Sequence, residues 1–276
     1  MPWHAQLSLD YAREGPRTVA RFAHEGPLRI LQSLWPEGGA ICHNVLVHPP
    51  GGLVGGDTLD VAVAAGEQAH GLVTTPGASR FYRSEGELAL QRTRISLAAG
   101  ARLEWLPLEA IYYDGCRAEN RVELDLAPGA ELLGWDIAAF GLPQAQQPFV
   151  RGQVQQHLEL HGAWLDRGVV AADDRRLMEG GLGLAGHRCL ATLFFACGSE
   201  MARARQAQAL EAARAVIGPH ELAATAGATA PNGQVVVVRV LAPLVEPALA
   251  LLKAVRRAWR PLLWQLPAAE PRGWVI

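Results

Sequence analysis

The feature that most constrains this chain is a repeat of short apolar runs, each followed by a turn, along its first 195 residues. Segments such as RLEWLPL and QVQQHLELH alternate apolar and polar residues, which is typical of β-strands. Gly66, Gly100, Gly129 and Gly162 follow apolar strand ends at separations of 34, 29 and 33 residues. Repeats of this length stack and bury one another's faces, so the sequence predicts a mainly β, layered or superhelical body. Glycine at the tight turns of any all-β protein is the alternative explanation.

The pattern changes after Phe195. The segment 199–218 predicts a helix with Ser199 as N-cap and Gly218 as C-terminal stop. A strand over 233–241 and a second helix over 244–266 follow, with Pro247 in the first turn of that helix and Pro261 ending or kinking it. No linker-like composition separates these parts, so we expect one domain over 1–276, with a β body over about 1–196 and a helical portion over about 197–276.

Charge and composition exclude several classes of function. The chain has 25 basic and 27 acidic residues and no run of Lys or Arg, so it lacks the charge pattern of a protein that binds nucleic acid or an anionic membrane. Its longest apolar stretch, Cys189 to Cys197, is too short to span a bilayer as a helix. The four cysteines form no CxxC pair and the N-terminus lacks the pattern of a secretory signal, which predicts a cytoplasmic protein with free thiols.

The stretch HPPGGLVGGDTL, residues 48–59, is the most unusual motif. A phosphate-binding Walker loop requires a Lys where Asp57 stands, and a dinucleotide fingerprint requires a helix where Thr58 to Ala64 predicts a strand. The motif therefore favours an elaborate corner in which glycines permit positive φ and Asp57 binds backbone amides. Ser79, after a Pro-Gly pair, does not fit a nucleophile elbow, because Phe81 replaces the second glycine.

Two groups of side chains are candidates for metal binding. His157, Glu159 and His161 alternate along one predicted strand and would share a face, although a solvated polar face explains the same pattern. Several carboxylates lie on or beside predicted strands among tryptophans, and any that are buried must be paired, neutral or hydrated. That placement is compatible with a solvated interior channel. These carboxylates are Glu104, Glu109, Asp114, Asp136 and Asp166.

Six blocks of the chain resemble, in order and spacing, the signature blocks of the urease accessory protein family UreD, also called UreH. The first three are LVHPPGGLVGGDTL, TTPGASRFYRS and ARLEWLPLEAIYYDG. The others are LLGWDIAAFGLP, the stretch from Trp164 to Gly168, and GLGLAGHRCLATLFF, so that the resemblance covers about Gly26 to Phe195. The chain departs from many relatives at Gly141-Leu142-Pro143 and at 146–149, where relatives carry an Arg and a Glu.

The resemblance implies a right-handed superhelix of β-strands with a C-terminal helical portion of two helices. It implies a scaffold without enzymatic activity or tightly bound cofactor, acting in a complex with UreF and the GTPase UreG on apo-urease. Ni²⁺ would pass transiently through an interior channel of this protein. Such a channel needs weak oxygen ligands, because thiolates or several imidazoles would trap the ion.

The matching blocks nominate residues for these roles. The candidate channel ligands are Asp136, Asp166, Asp57 and Glu109, and the candidate polar lining residues are Thr75 and Ser79. The residues of the motif corner are His48, Pro49, Pro50, Gly51, Gly52, Gly55 and Gly56.

The residues leave two other functions open: a β-helix carbohydrate-active enzyme with an Asp or Glu pair as acid and base, and an interaction scaffold without metal traffic. The predicted second helix also carries a candidate partner anchor formed by Trp259, Leu262, Leu263 and Trp264. Ordinary helix packing explains those four residues equally well. A dimer within the accessory complex is a further possibility.

Overall fold

The computed structural model describes residues 2–274. Strands make up 47% of the chain and helices 17%, so the predicted mainly β class is confirmed. The strands of the body are β1 (His4–Glu14), β2 (Arg17–Glu25), β3 (Arg29–Leu34), β4 (Cys42–Val47), β5 (Thr58–Ala65), β6 (His70–Thr74), β7 (Ser79–Phe81), β8 (Ala89–Leu97), β9 (Arg102–Leu106), β10 (Ala110–Tyr112), β11 (Cys116–Leu126), β12 (Glu131–Leu142), β13 (Gln147–Pro148), β14 (Gly152–Leu160), β15 (Trp164–Ala171) and β16 (Cys189–Cys197). β17 (Ala226–Thr229) and β18 (Val235–Ala242) follow.

The strands form two stacked sheets. The first sheet has the order β15-β14-β11-β8-β5-β1-β2, and its strands β1, β5, β8, β11 and β14 run parallel. The second sheet has the main order β17-β18-β16-β12-β9-β6-β4-β3 and contains a parallel run of β4, β6, β9 and β12. The chain passes from β5, β8 and β11 of the first sheet to β6, β9 and β12 of the second, which makes the body β-solenoid-like and layered.

The predicted glycine repeat marks the corners of this solenoid. Gly100 and Gly129 have φ of +67° and +78° at the third position of turns that pass from the first sheet to the second. In the preceding corner that position is held by Gln68, with φ +58°, two residues after Gly66. Gly162 has φ +75° in a hairpin between β14 and β15, within one sheet. The spacing therefore reflects a real structural period. In its first corner, however, the residue with positive φ is Gln68 and not the predicted Gly66.

Two apolar clusters fill the molecule. The first lies between the sheets, with Leu9, Phe81 and Phe140 among its fully buried members. The second lies between the outer face of the second sheet and the helices, and it includes Trp135 and Trp259. β12 contributes to both clusters, so it is apolar on both faces and reads as a continuous run, GWDIAAF, interrupted by a single carboxylate.

The helices are α1 (Arg175–Glu179), α2 (Arg203–Ile217) and α3 (Val245–Trp264). α2 ends at Gly218 as predicted, but it begins four residues after Ser199, and the predicted N-cap is wrong: Ala202 holds that position, while the Ser199 hydroxyl accepts a hydrogen bond from Gly129 N–H. Pro261 lies inside α3, which continues to Trp264. The short helix α1 was not predicted. None of the helices described in 2–274 is both long and apolar enough to cross a membrane.

A buried ion network fastens α3 to the β body. Arg256 Nε donates to Glu104 Oε2 at 2.6 Å, and Arg260 Nε lies 3.2 Å from Glu104 Oε1 without hydrogen-bond alignment. Arg260 also makes a bidentate pair with Glu37 at 2.8 and 2.9 Å, and Glu37 contacts His43 at 2.9 Å. Because β18 also pairs with β16, the helical portion shares both a sheet and a charge network with the body.

Candidate functional site

The motif at 48–59 folds as two successive β-turns. Gly51 N–H donates to His48 O, and Asp57 N–H donates to Val54 O with Gly56 at φ +89° in the second turn. The Asp57 carboxylate is 1% exposed and accepts the N–H groups of Val54 at 2.9 Å and Trp3 at 3.2 Å. Both of its oxygens are therefore used to hold the turn and the N-terminal segment.

The glycines of the corner are required by close packing. A Cβ on Gly52 would lie 2.3 Å from Tyr82 Cε2 and 2.9 Å from Arg80 O, and one on Gly55 would lie 2.4 Å from Ser84 Oγ. Leu53, between them, pairs with Phe81 and bonds to the backbone of Arg80 and Tyr82. Pro49 and Pro50 occupy the outer turn. The corner is thus pressed against the TTPGASRFYRS block, which explains why two distant motifs occur together.

A cavity of about 210 Å³ lies behind this corner, between the two sheets. Its polar lining combines side chains of the two motifs with two side chains of β8: His48, Thr75, Ser79, Arg80, Gln91 and Thr93. Within the described part of the chain, His48 Nε2 and Thr93 Oγ1 are buried without a hydrogen-bond partner. Buried polar atoms of this kind are normally satisfied by water, and the cavity has the volume and the polar lining to hold it.

A line of polar side chains continues from this cavity into the interior. Ser79 Oγ donates to Gln91 Oε1 at 3.5 Å, and Gln91 Nε2 donates to Asn120 Oδ1 at 3.4 Å. Asn120 Nδ2 then donates to Asp136 Oδ1 at 2.7 Å, and Gln156 Nε2 donates to Asp136 Oδ2 at 2.7 Å. Asp136 is therefore the point where groups from β11, β12 and β14 meet.

Asp136 is 9% exposed, and its pKa is strongly shifted. Burial raises its pKa to about 6, the nearby Asp166 carboxylate pushes the pKa in the same direction, and the Gln156 and Asn120 amides oppose both. At pH 7.5 Asp136 thus carries a negative charge that is held by neutral amides. His48 at the cavity has a pKa lowered by burial, against the pull of Asp57, so its imidazole is neutral.

The polar line ends at the open edge of the sandwich. On the second sheet Asp136 is in register with Thr192 of β16, and Thr192 with Arg239 of β18. Arg239 forms an ion pair with Asp166 of β15, across the gap between the sheets. The structure thus brings Asp136 and Asp166 into one region, whereas Glu109 lies elsewhere, in a cleft of about 280 Å³ that also contains Leu142 and Glu246.

Sequence reasoning missed the neutral members of this line: Gln91, Thr93, Asn120, Gln156 and Thr192. A signal existed, because each occupies an inward position of a strand whose other inward residues are apolar, as in Ala118, Val122 and Leu124 around Asn120. A polar residue on the apolar face of an alternating strand is costly unless it has a partner, so the pattern marks a polar interior.

The predicted metal group on β14 is rearranged. Glu159 and His161 do come together, but the third member within 4.8 Å is Glu123 of β11. His157 instead contacts Glu159 Oε2 at 2.8 Å. Arg121 lies 3.3 Å from the Glu123 carboxylate, and Arg94 lies 3.8 Å from the same carboxylate. These two cations reduce the attraction of the group for a metal ion.

All four cysteines are buried and unpaired by disulfides. Burial raises the pKa of Cys116, Cys189 and Cys197 to about 12. These thiols remain protonated at neutral pH, and only the thiolate is an effective metal ligand.

The predicted partner anchor on α3 is corrected by the structure. Trp259, Leu263 and Trp264 are 0%, 6% and 4% exposed and belong to the cluster under the helices, and Leu262 at 37% is the exposed member of the four. Trp259 Nε1 donates to Ala209 O, and Trp264 Nε1 to Glu131 Oε2. These side chains fill the core because the apolar stripe of α3 faces the second sheet.

Comparison with known proteins places this geometry in context. The family model described as UreD urease accessory protein matches residues 4–275. Proteins named urease accessory protein UreD from Variovorax paradoxus (strain S110) and Polaromonas naphthalenivorans (strain CJ2) are 65% and 66% identical over 274 residues, which is 99% of each chain. The protein of that name from Paracidovorax citrulli (strain AAC00-1) is 64% identical over 276 residues, 100% of both chains. The similarity thus includes the helical portion, beyond the blocks that carry the sequence resemblance.

Proposed function

Because this chain belongs to the UreD urease accessory protein family, which supports a role in urease maturation, we propose that it acts there as a nickel-delivery scaffold and not as an enzyme. Ni²⁺ is its cargo and passes through the space between the two sheets on its way to apo-urease. Nickel is held transiently and no cofactor is tightly bound.

The observation that carries this proposal is the polar line through an otherwise apolar interior, from the cavity at His48 to Asp136 and the Asp166–Arg239 pair. A solenoid of this size could fill the gap with aliphatic side chains, as it does around Leu9 and Phe140. Burial raises the pKa of a carboxylate because it makes the ionised form less stable. A passing dication would relieve that penalty, which gives the buried Asp136 a function.

The ligand chemistry along the line suits passage more than storage. The line offers hydroxyl, amide and carboxylate groups, which bind borderline dications more weakly than clustered imidazoles or thiolates do. His48 is a single neutral imidazole at one end. The buried thiols stay protonated. An ion that enters is therefore attracted by charge at Asp136 without being trapped.

We propose UreF, the GTPase UreG and the apo-urease subunits as partners, as the family implies. GTP belongs to UreG, since this chain carries Asp57 where a Walker loop has its Lys. A dimer within the accessory complex, cytoplasmic location and the absence of nucleic-acid or membrane binding are part of the same proposal.

The test measures urease activity and urease-bound nickel in cells that make the structural subunits and the other accessory proteins, with and without this chain. Nickel loading that requires the chain supports the proposal, and equal loading without it contradicts the proposal. Replacing Asp136 and Asp166 then separates the remaining functions. A nickel channel predicts lost loading with the complex still assembled, a plain scaffold predicts normal loading, and an enzyme predicts lost turnover by the isolated chain.

A further inference from the structure

Three amide side chains form a row in the interior. Gln91 of β8 is in register with Asn120 of β11, and Asn120 with Gln156 of β14, so neighbouring members are about 4.8 Å apart on one face of the first sheet. The row begins beside Leu59 of β5 and ends at Gly168 of β15, which contributes no side chain. We call Gln91, Asn120 and Gln156 the amide row.

The amide row is bonded to the carboxylate of Asp136, on the facing sheet. Asn120 and Gln156 each donate an N–H to a different oxygen of Asp136 at 2.7 Å, and Gln91 donates to Asn120 Oδ1. In this arrangement the amides direct hydrogen atoms toward Asp136. The carboxylate is fully occupied by neutral donors, with both oxygens satisfied.

We propose that the amide row is a turnable ligand set for the dication, an inference that rests on the proposed nickel-delivery function. An amide carries two N–H donors on one side and an acceptor oxygen on the other. Its terminal torsion is broad and roughly two-fold, so a half-turn exchanges these sides without changing the packing volume. With no cation present, the N–H side satisfies Asp136. When a dication reaches Asp136, the same amides turn and present oxygen to it.

This arrangement solves a problem that a row of carboxylates would create. Three buried carboxylates in register would repel one another and remain uncompensated between ions. Three amides add no charge beside Asp136, yet they still offer an oxygen at each step. The row therefore extends the binding path from the cavity at Gln91 to the open end at Gly168 without adding charge.

The competing explanation is structural, because stacked Asn and Gln side chains also stabilise parallel strands. A matched pair of variants separates the two explanations. Gln155 is adjacent to Gln156 on β14 but faces the opposite side of the sheet. Gln156→Leu removes a member of the row, whereas Gln155→Leu makes the same chemical change outside it. Gln156→Glu keeps the size and adds a second carboxylate beside Asp136.

The experiment measures binding of Ni²⁺ alone to the full purified chain at pH 7.5 by isothermal titration calorimetry, with thermal unfolding midpoints recorded for each variant. We expect Gln156→Leu to weaken nickel binding by about tenfold or more, Gln155→Leu to bind as wild type does, and Gln156→Glu to bind more tightly. A row that only stabilises strands predicts a lower midpoint for Gln156→Leu with unchanged nickel affinity, and that result overturns the inference. So does a wild-type chain that binds no nickel.

Two outcomes keep this inference separate from the proposed function. If Gln156→Leu does not fold, the pair of Gln156→Glu and wild type decides, since equal nickel affinity of these two overturns the inference. If urease loading in cells requires the chain while the Gln156 and Gln155 variants bind nickel alike, the amide row is excluded and the delivery function stands.

Discussion

The raised pKa of Asp136 makes a quantitative prediction about stability. An acid whose pKa is higher in the folded than in the unfolded chain binds its proton more tightly when folded. Its stabilising contribution is complete below the unfolded pKa and is lost as the pH rises through the folded pKa. For Asp136 that window runs from the ordinary value near 4 to the folded value of about 6. Wild-type stability should therefore fall across this range because of Asp136.

The size of the effect follows from the two pKa values. A difference of two units corresponds to about 3 kcal/mol in total, of which about 1.4 kcal/mol is lost between pH 5 and pH 7.5. Asp136→Asn is nearly isosteric and cannot ionise, so this part of the pH dependence disappears. We expect the stability of Asp136→Asn relative to wild type to be higher at pH 7.5 than at pH 5 by about 1.4 kcal/mol.

Urea denaturation at the two pH values measures this difference, and every other titrating group cancels between the two proteins. Asp114→Asn is a control for changing a carboxylate, since Asp114 lies at the surface and its pKa is held below the usual range by the hydrogen bonds and charge of Arg151, although its small burial acts in the other direction. A difference between Asp136→Asn and wild type that does not change with pH, or that changes with the opposite sign, would refute the reasoning about burial.

Three further predictions concern the fold. Glu104→Leu leaves Arg256 and Arg260 without their shared partner and should destabilise the protein by about 3–5 kcal/mol in urea denaturation, whereas Glu14→Gln, in an exposed pair, should cost less than about 1 kcal/mol; similar losses would contradict the network. Gly52→Ala should cost about 1–3 kcal/mol through its contact with Tyr82, and Gly77→Ala, which meets open space, should be close to neutral by the same assay. Burial, reinforced by Arg102 and Arg260, lowers the pKa of His70 to about 3, so its contribution is present above pH 6.5 and is lost as the pH falls. His70→Gln should therefore lose about 2 kcal/mol less stability than wild type between pH 7.5 and pH 5, and equal losses would contradict a neutral buried His70.

The sequence predicted the architecture better than the details of its corners and caps. Period-two alternation and turns at regular spacing were sufficient for a layered β body, because both follow from local geometry. The Gln68 corner was missed because a non-glycine residue adopts positive φ there. Tertiary structure sets that conformation, and the local sequence does not indicate it. Ser199 is a good N-cap by type, but its hydroxyl is used by Gly129 of the neighbouring corner, so the helix begins later.

The candidate site was predicted in part, from the residues of the matching motifs. Asp136 and Asp166 were found as carboxylates in matching blocks, and the structure brings them into one region. Asn120 and Gln156 were not found, because strand register across 36 residues decides that they face the same carboxylate. The tryptophans of α3 were left open between a partner surface and helix packing, because composition does not say which face of a helix is covered.

The most direct test of nickel passage through the interior is the amount of nickel that reaches urease when the interior charge is removed. Asp136→Asn is suited to this, since it is nearly isosteric and removes the charge of the side chain. The account predicts that cells carrying Asp136→Asn assemble the accessory complex at the normal level but load urease with nickel about tenfold less. Normal urease-bound nickel with Asp136→Asn, at equal complex yield, would contradict passage along this line.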